Sequence, residues 1–291
     1  MTDEAAGASA GGKDVRFDRP ILIVSPPRSG STLLFETMAK APDLYTIGTE
    51  SHVAIESIPP FRPANRGWNS NRLTLEDARS FAANRLANSF YSQLRDRDGN
   101  PPLGPVRMLE KTPKNALRIP FFDELWPDST FIYLHRDVRS TLASMIEAWM
   151  SGRFVTYPSL PGWTGQKWSL LLVPGWPELI GKPLPIVVAW QWAVATKIML
   201  DDLSRLPRER IRAIRHADFV DEPNARISAL ARSVGLEWDR ELGTSLPLSA
   251  YTVSRPSPDK WRRFESEIEA VMPIVAGADA RAKEFLSKFA D

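Results

Sequence analysis

The chain has 291 residues, of which 43% are hydrophobic and 25% charged, and this is enough to build the core of one α/β domain. Its 37 Lys and Arg residues nearly balance 35 Asp and Glu residues, so the net charge of +2 argues against nucleic acid as a partner. The absence of cysteine excludes disulfides, thiolate nucleophiles and Cys-ligated zinc. Because the three histidines are scattered, we expect no metal site.

The N-terminal residues are small and charged and carry no signal-peptide pattern. We expect a disordered lead-in over residues 1–18 and a single domain over residues 19–291. No run of 18 apolar residues follows, so we expect a cytoplasmic protein without a transmembrane segment.

Strands and helices alternate from residue 20 onwards. Ile21–Val24 is an apolar run typical of a central parallel strand, and a capping box at Thr74 and Asp77 predicts a long helix to about residue 96. Further strands are predicted over residues 44–47, 106–110, 130–135 and 211–214, and further helices over 31–40, 138–150, 186–206 and 224–234. This succession predicts a three-layer α/β fold, with helices on both faces of a mostly parallel central sheet. A Gly-, Pro- and Trp-rich stretch over about 151–185 is predicted to be an insertion above the sheet's working edge.

The stretch SPPRSGST, residues 25–32, lies between the first predicted strand and helix. Backbone N–H groups at such a turn point at an anion above the helix N-terminus, and the Arg28, Ser31 and Thr32 side chains add donors. An ordinary turn with a Ser/Thr cap is the alternative. Ser25 and Ser31 stand where an ATP-type loop needs glycine and lysine, so a γ-phosphate clamp is disfavoured.

The stretch PPRSGSTLL after ILIVS resembles the 5′-phosphosulfate loop of sulfotransferases that use 3′-phosphoadenosine 5′-phosphosulfate (PAPS). The resemblance extends over about residues 20–270 and implies a P-loop-like sulfotransferase fold. It also implies a set of donor-binding residues within the loop: Arg28, Ser29, Gly30, Ser31 and Thr32.

The segment RDVRSTLAS resembles the family's 3′-phosphate-binding strand and helix. Arg136 follows the predicted strand over 130–135, where ligands of open α/β sheets bind, and Ser144 lies about two turns into the next helix. The resemblance implies that these two residues hold the 3′-phosphate. Arg139 is a less favoured, solvent-facing substitute.

Two further motifs resemble the catalytic elements of tyrosylprotein sulfotransferases and similar enzymes. GTESH implies Glu50 as the general base, with His52 as its rival because imidazole titrates near neutrality. EKTP implies that Lys111 reaches the transferring sulfonate. Glu110 is expected to orient Lys111, and Lys114 to be a solvated charge at a helix start.

A segment near the C-terminus, SPDKW, resembles the part of these enzymes that closes over the donor phosphates and nominates Lys260. The alternative is an exposed lysine beside a buried Trp261. Ser249 and Thr252 are weaker candidates. Many relatives have YED where this chain has the sequence RHAD, so His216 either replaces a tyrosine contact to the donor or packs in the core.

The motifs together imply transfer of a sulfonate from PAPS to a hydroxyl of a small-molecule acceptor, without a metal. The Trp-rich insertion and the stretch Ile58–Trp68 predict an apolar or aromatic wall beside the base, hence an apolar metabolite or lipid as acceptor. A P-loop small-molecule kinase or NTPase stays open through Asp137, a possible magnesium ligand. The third reading is a non-catalytic nucleotide-binding protein.

Overall fold

The computed structural model describes residues 14–255, 257 and 259–289. The strands are β1 (Ile21–Val24), β2 (Leu44–Tyr45), β3 (Arg107–Lys111), β4 (Thr130–His135), β5 (Val155–Tyr157), β6 (Trp168–Ser169) and β7 (Ile211–Arg215). The α-helices are α1 (Ser31–Met38), α2 (His52–Glu56), α3 (Leu75–Ala78), α4 (Phe81–Gln93), α5 (Ile119–Leu125), α6 (Val138–Met150), α7 (Leu184–Leu203), α8 (His216–Asp221), α9 (Pro223–Ser233) and α10 (Glu265–Ser287). Short 3₁₀ helices span Pro59–Phe61, Pro63–Arg66, Pro113–Leu117, Trp176–Leu179, Arg208–Arg210 and Lys260–Phe264. Within the described residues, no helix combines the length and apolarity that a bilayer span requires.

Five strands form one parallel sheet in the order β2-β3-β1-β4-β7. From β1 the chain first builds the β3 and β2 side of the sheet and then crosses to β4 and β7. Neighbouring strands β1 and β4 therefore continue in opposite directions, and this leaves a crevice beyond their carboxyl ends. The predicted α/β class is confirmed, and the two central strands have the predicted bounds, Ile21–Val24 and Thr130–His135.

Alternate side chains of the buried strands serve the two faces of the sheet. Ile21 and Ile23 pack with α1, α8 and α9, whereas Leu22 and Val24 pack with α4, α5, α7 and α10. Both faces are covered by apolar side chains, so the strands read as continuous apolar runs.

The stretch over 151–185 forms a two-stranded antiparallel hairpin, β5–β6, followed by irregular backbone. Its tryptophans belong to a separate cluster with apolar residues of α6 and α7. Trp168 packs edge to face against Trp149 of α6 and against Trp176, and it is fully buried, with Trp176 nearly so. The hairpin is therefore an extension of the core and not only a loop above it.

Some predicted bounds differ from the structure. The long helix predicted from Thr74 is two helices, α3 and α4, because Ser80 is extended and its hydroxyl bonds the carbonyl of Asp77, although the capping box at Thr74 is present. The strand predicted over 44–47 pairs only at Leu44 and Tyr45. We predicted no element for α10, whose pattern is interrupted by Pro273.

The predicted lead-in ends earlier than residue 18. Residues 1–13 lie outside the described part of the chain, but Phe17 is only 1% exposed, bridges Val106 and packs against Trp126 at 4.8 Å between ring centroids. Phe17 therefore belongs to the core.

We expect Phe17→Ala to lower the free energy of unfolding by about 3–5 kcal/mol, because it removes a buried aromatic ring and leaves a cavity. Val15→Ala is the matched control, since Val15 is 75% exposed and its truncation should cost less than about 0.5 kcal/mol. Urea denaturation of both variants measures the difference. Equal stabilities would place Phe17 outside the core in solution.

Candidate active site

The crevice beyond β1 and β4 opens into a cavity of about 610 Å³. The turn after β1, the start of α2, the residues after β4 and the β5–β6 hairpin contribute to its walls. The predicted site residues that line it are Arg28, Gly30, Ser31, Thr32, Glu50, His52, Arg136, Ser144 and Lys260. Most of the residues that separate motifs nominated thus meet in one place.

The turn after β1 has the backbone of an anion-binding site. Arg28 and Gly30 both have positive φ angles, 66° and 91°, and α1 begins at Ser31 without a side-chain cap. Alternation between left- and right-handed residues turns successive N–H groups to one side, and the uncapped helix start adds its own free N–H groups. The hydroxyl of Ser29 points elsewhere, since it donates to the carbonyl of Pro26.

Gly30 is required by its surroundings as well as by its φ angle. A Cβ at this position would lie 2.3 Å from Cδ2 of His216, so the imidazole packs directly against the turn. Burial and the Arg136 guanidinium lower the pKa of His216 to about 4, and the ring is therefore neutral at physiological pH.

Arg136 and Arg28 form the cationic wall of the cavity. Arg136 donates to the carbonyl of Arg28 at 2.8 Å, and the Arg28 guanidinium lies 3.4 Å from the hydroxyl of Ser144 and 4.6 Å from the ring of Phe154. Burial, together with the nearby Arg136, lowers the pKa of Arg28 to about 10. Two guanidinium groups so close together favour an anion between them.

Glu50 and Lys111 form an ion pair at the opposite side of the turn. Nζ of Lys111 lies 2.7 Å from Oε1 of Glu50 and 3.0 Å from the hydroxyl of Thr32, and its side chain is almost fully buried. Nδ1 of His52 lies 3.6 Å from the other Glu50 oxygen. Burial alone would raise the pKa of Glu50, but His52 and the Lys111 ammonium outweigh it and lower that pKa to about 2.

The backbone after Glu50 is held by the polar residues around Lys111. The amide of Ser51 donates to Oγ1 of Thr112 at 2.8 Å, and its hydroxyl donates to Oε1 of Glu110 at 2.5 Å. Asn115 donates to the same oxygen at 2.7 Å. Glu110 was predicted to orient Lys111, and this is wrong: adjacent strand residues face opposite sides, so Glu110 supports Ser51.

Burial raises the pKa of Glu110, which has no direct access to solvent. The motif EKTPKN is thus a clamp for the turn that carries Glu50. The signal for it in the sequence is a set of polar side chains at the end of β3 and directly after it, which we interpreted as one catalytic lysine, an orienting carboxylate and a solvated lysine.

Lys114 was predicted to be a solvated charge, and this is also wrong. It is 5% exposed, and its ammonium lies 2.6 Å from Oε1 of Glu56 and 2.8 Å from the hydroxyl of Tyr157. Burial lowers its pKa to about 8. The cause is tertiary: the helix after Glu50 and the β5–β6 hairpin enclose the 3₁₀ helix that follows Thr112.

The tryptophans that were predicted to form a wall beside the base do not line the cavity. Trp168 and Trp176 face the core, and Phe61 of the stretch Ile58–Trp68 is 1% exposed. The apolar lining of the cavity includes instead other residues of the hairpin region: Phe154, Val155, Leu170 and Leu171. Large aromatic residues in the insertion were a misleading signal because they fill the cluster behind this wall.

A cover segment, residues 244–255 and 259–264, closes the cavity on the side of Arg28. The guanidinium of Arg28 donates to the carbonyl of Tyr251 at 3.0 Å, and Ser249 and Thr252 lie 3.2 Å apart by their hydroxyls. Lys260 is 15% exposed and pairs with Glu147.

Arg139 is outside the cavity and pairs with Glu269. The part of the chain that the structure describes contains no group of three His, Cys, Asp or Glu side chains arranged to hold a metal ion.

A turn suited to anion binding thus lies beside a carboxylate–lysine pair at the switch point of a parallel sheet, the place where open α/β sheets bind their ligands. The model of the sulfotransferase family matches residues 20–240, most of the chain. The chain therefore belongs to the sulfotransferase family, and the P-loop-like fold predicted from the turn after β1 is confirmed.

Among curated proteins, the chain is similar to a Caenorhabditis briggsae protein provisionally named as a protein-tyrosine sulfotransferase, with 29% identity over 131 residues. This match covers 45% of the chain and 44% of the relative, so the chain is matched to less than half of that protein's length.

Solved structures with similar geometry include the sulfotransferase domain of the curacin biosynthetic pathway, at 22% identity and a TM-score of 0.47, over 87% of this chain and 98% of that one. A sulfotransferase of Alicyclobacillus acidocaldarius has 17% identity and a TM-score of 0.48, over 89% and 95% of the two chains. These are distant likenesses, and the family assignment rests on the sequence match.

We expect Lys111→Met to raise the pKa of Glu50 above its value of about 2, because the ammonium is one of the groups that lower it. A carboxyl with a lowered pKa stabilises the fold above its ordinary pKa of about 4.5, and this contribution is lost as the pH falls toward 2. In Lys111→Met the folded-state pKa of Glu50 lies closer to 4.5, so this contribution is smaller and its loss is complete at a higher pH. Carboxyl ¹³C NMR titration measures the shift directly.

Lys260→Met is the matched control, because Lys260 pairs with Glu147 and not with Glu50. Its Glu50 should titrate as in the unaltered protein. The same Glu50 titration in both variants would contradict the Lys111 pairing.

Proposed function

We propose that this protein transfers a sulfonate from PAPS to a hydroxyl of an apolar or aromatic small molecule, with Glu50 as the general base. One observation carries the proposal. Buried Lys111 joins the partly exposed Glu50 to Thr32 of the turn, and Glu50 lines the same cavity as Arg28, Arg136 and Ser144, so the proposed base and the anion cradle share one cavity.

The donor's phosphates fit the polar side of the cavity. The N–H groups of the turn and of the first turn of α1 receive the 5′-phosphosulfate, with Arg28 and Thr32 beside them. Arg136 and Ser144 receive the 3′-phosphate that distinguishes PAPS from other adenine nucleotides. Lys260 approaches this side from the cover segment, and the neutral His216 ring packs behind the turn.

Transfer proceeds in line, without a covalent enzyme intermediate. The acceptor oxygen attacks sulfur as the bond between sulfur and the bridging phosphate oxygen breaks, and adenosine 3′,5′-bisphosphate leaves with the electron pair. Glu50 takes the proton of the attacking hydroxyl. Lys111, Arg28 and the N–H groups of the turn stabilise the negative charge that grows on the bridging and sulfonyl oxygens.

Lys111 donates to Glu50, and this contact is one cause of the low pKa of Glu50. A bound sulfonate offers Lys111 a second anionic partner, and the ammonium can then serve the sulfonate at the expense of the carboxylate. The pKa of Glu50 rises as this contact weakens, and the base becomes stronger when the donor is in place. His52, 3.6 Å from Glu50, is close enough to hold the carboxylate in its orientation.

The acceptor side supports an apolar ligand. Phe154, Val155, Leu170 and Leu171 line the same cavity as Glu50 and His52. Such a wall binds the body of a hydroxylated metabolite or lipid by excluding water from it, and the polar groups are left to orient the hydroxyl.

A kinase is less well supported by the same cavity. The turn carries Ser31 where a kinase loop needs lysine, and Asp137 is engaged as the N-cap of α6, accepting from the amide of Ser140 at 2.8 Å. An aspartate bound in this way is a poor candidate for a magnesium ligand. Glu50 and Lys111 also argue against a binding-only role, which requires neither.

Calorimetry without added metal tests the donor. We expect adenosine 3′,5′-bisphosphate to bind with micromolar affinity and adenosine 5′-monophosphate to bind much more weakly, because only the former reaches Arg136 and Ser144. Preference for Mg-ATP would overturn the proposal in favour of a kinase.

We expect Glu50→Gln to keep the affinity for adenosine 3′,5′-bisphosphate and to lose about 10²- to 10⁴-fold in turnover, because the amide cannot accept the proton. Transfer from PAPS to a panel of apolar phenols and alcohols measures the loss. His52→Asn is the companion variant and should retain more turnover than Glu50→Gln. The reverse order would make His52 the base.

We expect Arg136→Ala to weaken adenosine 3′,5′-bisphosphate about tenfold or more and adenosine 5′-monophosphate much less, because a charged hydrogen bond to the 3′-phosphate is lost. Arg139→Ala is the matched control, since Arg139 pairs with Glu269 outside the cavity. Calorimetry with both nucleotides measures the difference. Equal weakening of the two nucleotides by Arg136→Ala would remove the assignment to the 3′-phosphate.

A further inference from the structure

A buried carboxylate without a role in the proposed reaction lies beside the donor side of the cavity. Glu147 is 7% exposed and follows Ser144 by three residues on α6, so the two side chains share one face of the helix. A negative charge at this place repels the phosphates of a nucleotide donor. A buried carboxylate that opposes donor binding must therefore serve another purpose in the protein.

Both oxygens of Glu147 are engaged by the cover segment. Oε2 lies 2.5 Å from the ammonium of Lys260, Oε1 lies 2.8 Å from the guanidinium of Arg263, and the hydroxyl of Ser254 is 3.1 Å from each oxygen. Three residues from different parts of the segment thus converge on one side chain of α6.

The segment has few other hydrogen bonds to the rest of the protein, although Trp261 and Phe264 pack against the apolar cluster around α6 and α7. Among the described residues 244–260, the other hydrogen bonds to the rest of the protein run from Arg28 to the carbonyl of Tyr251 and from the amide of Ala250 to Glu36. The backbone is irregular up to the 3₁₀ helix at Lys260–Phe264. Glu147 is accordingly the main polar attachment point of the cover segment.

The charges around Glu147 also support an anchoring role for this residue. Without the carboxylate, Lys260 and Arg263 would approach the Arg28 and Arg136 side of the cavity without a counter-charge while the donor is absent, and like charges at short range repel. The ammonium of Lys260 has three N–H donors. While one of them bonds Glu147, the other two can donate to a phosphate.

We infer that Glu147 is a positioning residue that anchors the cover segment over the donor side of the cavity and presents Lys260 to the 3′-phosphate. The part concerning Lys260 and the donor rests on the proposed function, whereas the anchoring of the segment does not. Glu147 touches no reacting atom and acts through Lys260, Ser254 and Arg263.

Hydrogen exchange of the nucleotide-free protein tests the anchoring. Glu147→Gln should speed exchange in peptides that span the cover segment, because the amide replaces two ionic contacts with neutral ones. Asp123→Asn is the matched control: it breaks the Asp123–Arg210 ion pair, in which neither residue belongs to the cover segment or lines the cavity. It should leave the segment's exchange unchanged. Equal exchange in Glu147→Gln and the unaltered protein would overturn the anchoring.

Calorimetry tests the link to the donor. Glu147→Gln should weaken adenosine 3′,5′-bisphosphate about tenfold and adenosine 5′-monophosphate much less, and in transfer assays it should raise KM for PAPS more than it lowers kcat. Tighter or unchanged binding of the bisphosphate would mean that the carboxylate only repels the donor, and this part would be wrong. If the unaltered protein binds no bisphosphate, the proposed function fails, and hydrogen exchange still decides the anchoring.

A double-variant cycle shows whether Glu147 acts through Lys260. Lys260→Met alone should weaken the bisphosphate, and adding Glu147→Gln should then weaken it much less than it does in the unaltered background. Additive effects would contradict the route through Lys260. Since Lys260→Met leaves Glu147 paired with Arg263, it also provides a variant that keeps the buried carboxylate compensated.

Discussion

The parallel sheet brings the carboxyl ends of β1, β3 and β4 to one edge, and the chemistry of this protein depends on that constraint. The turn after β1 provides the anion cradle, the last residue of β3 is Lys111, and the first residue after β4 is Arg136. Strands that ran antiparallel would separate these groups by the length of a strand. The crevice exists because the connections from β1 and β4 depart in opposite directions.

Within that edge, Glu50 and Lys111 depend on each other and on a second layer of contacts. A buried ammonium is tolerated because a carboxylate and the Thr32 hydroxyl compensate for its lost hydration. The carboxylate stays in place because Ser51, the next residue, is clamped by Glu110 and Thr112. The EKTP motif thus combines one side chain that pairs with Glu50 and two that hold Ser51, and the strand's alternation separates these tasks.

Local patterns in the sequence were sufficient for the central strands and for the cradle. Ile21–Val24 and Thr130–His135 are apolar runs whose period and bounds leave little choice, and Gly30 stands where a left-handed residue must meet a helix start. Resemblance of separate short motifs to one family then nominated residues that the fold brings together. Lys114, Glu110 and Glu147 were misjudged or missed, because nothing local distinguishes a solvated charge from a buried, paired one.

The sequence by itself determined the α/β class, the order of the main elements and the family, since these depend on hydrophobic period, turn chemistry and motifs read within a few residues. Only the tertiary structure decided which charges are buried, which side of the cavity is apolar, and what holds the cover segment. The tryptophans illustrate the reason. Their number in the insertion predicted an aromatic wall of the cavity, but they pack in the core with α6 and α7. Burial and pairing depend on residues distant in the chain, and no local pattern encodes them.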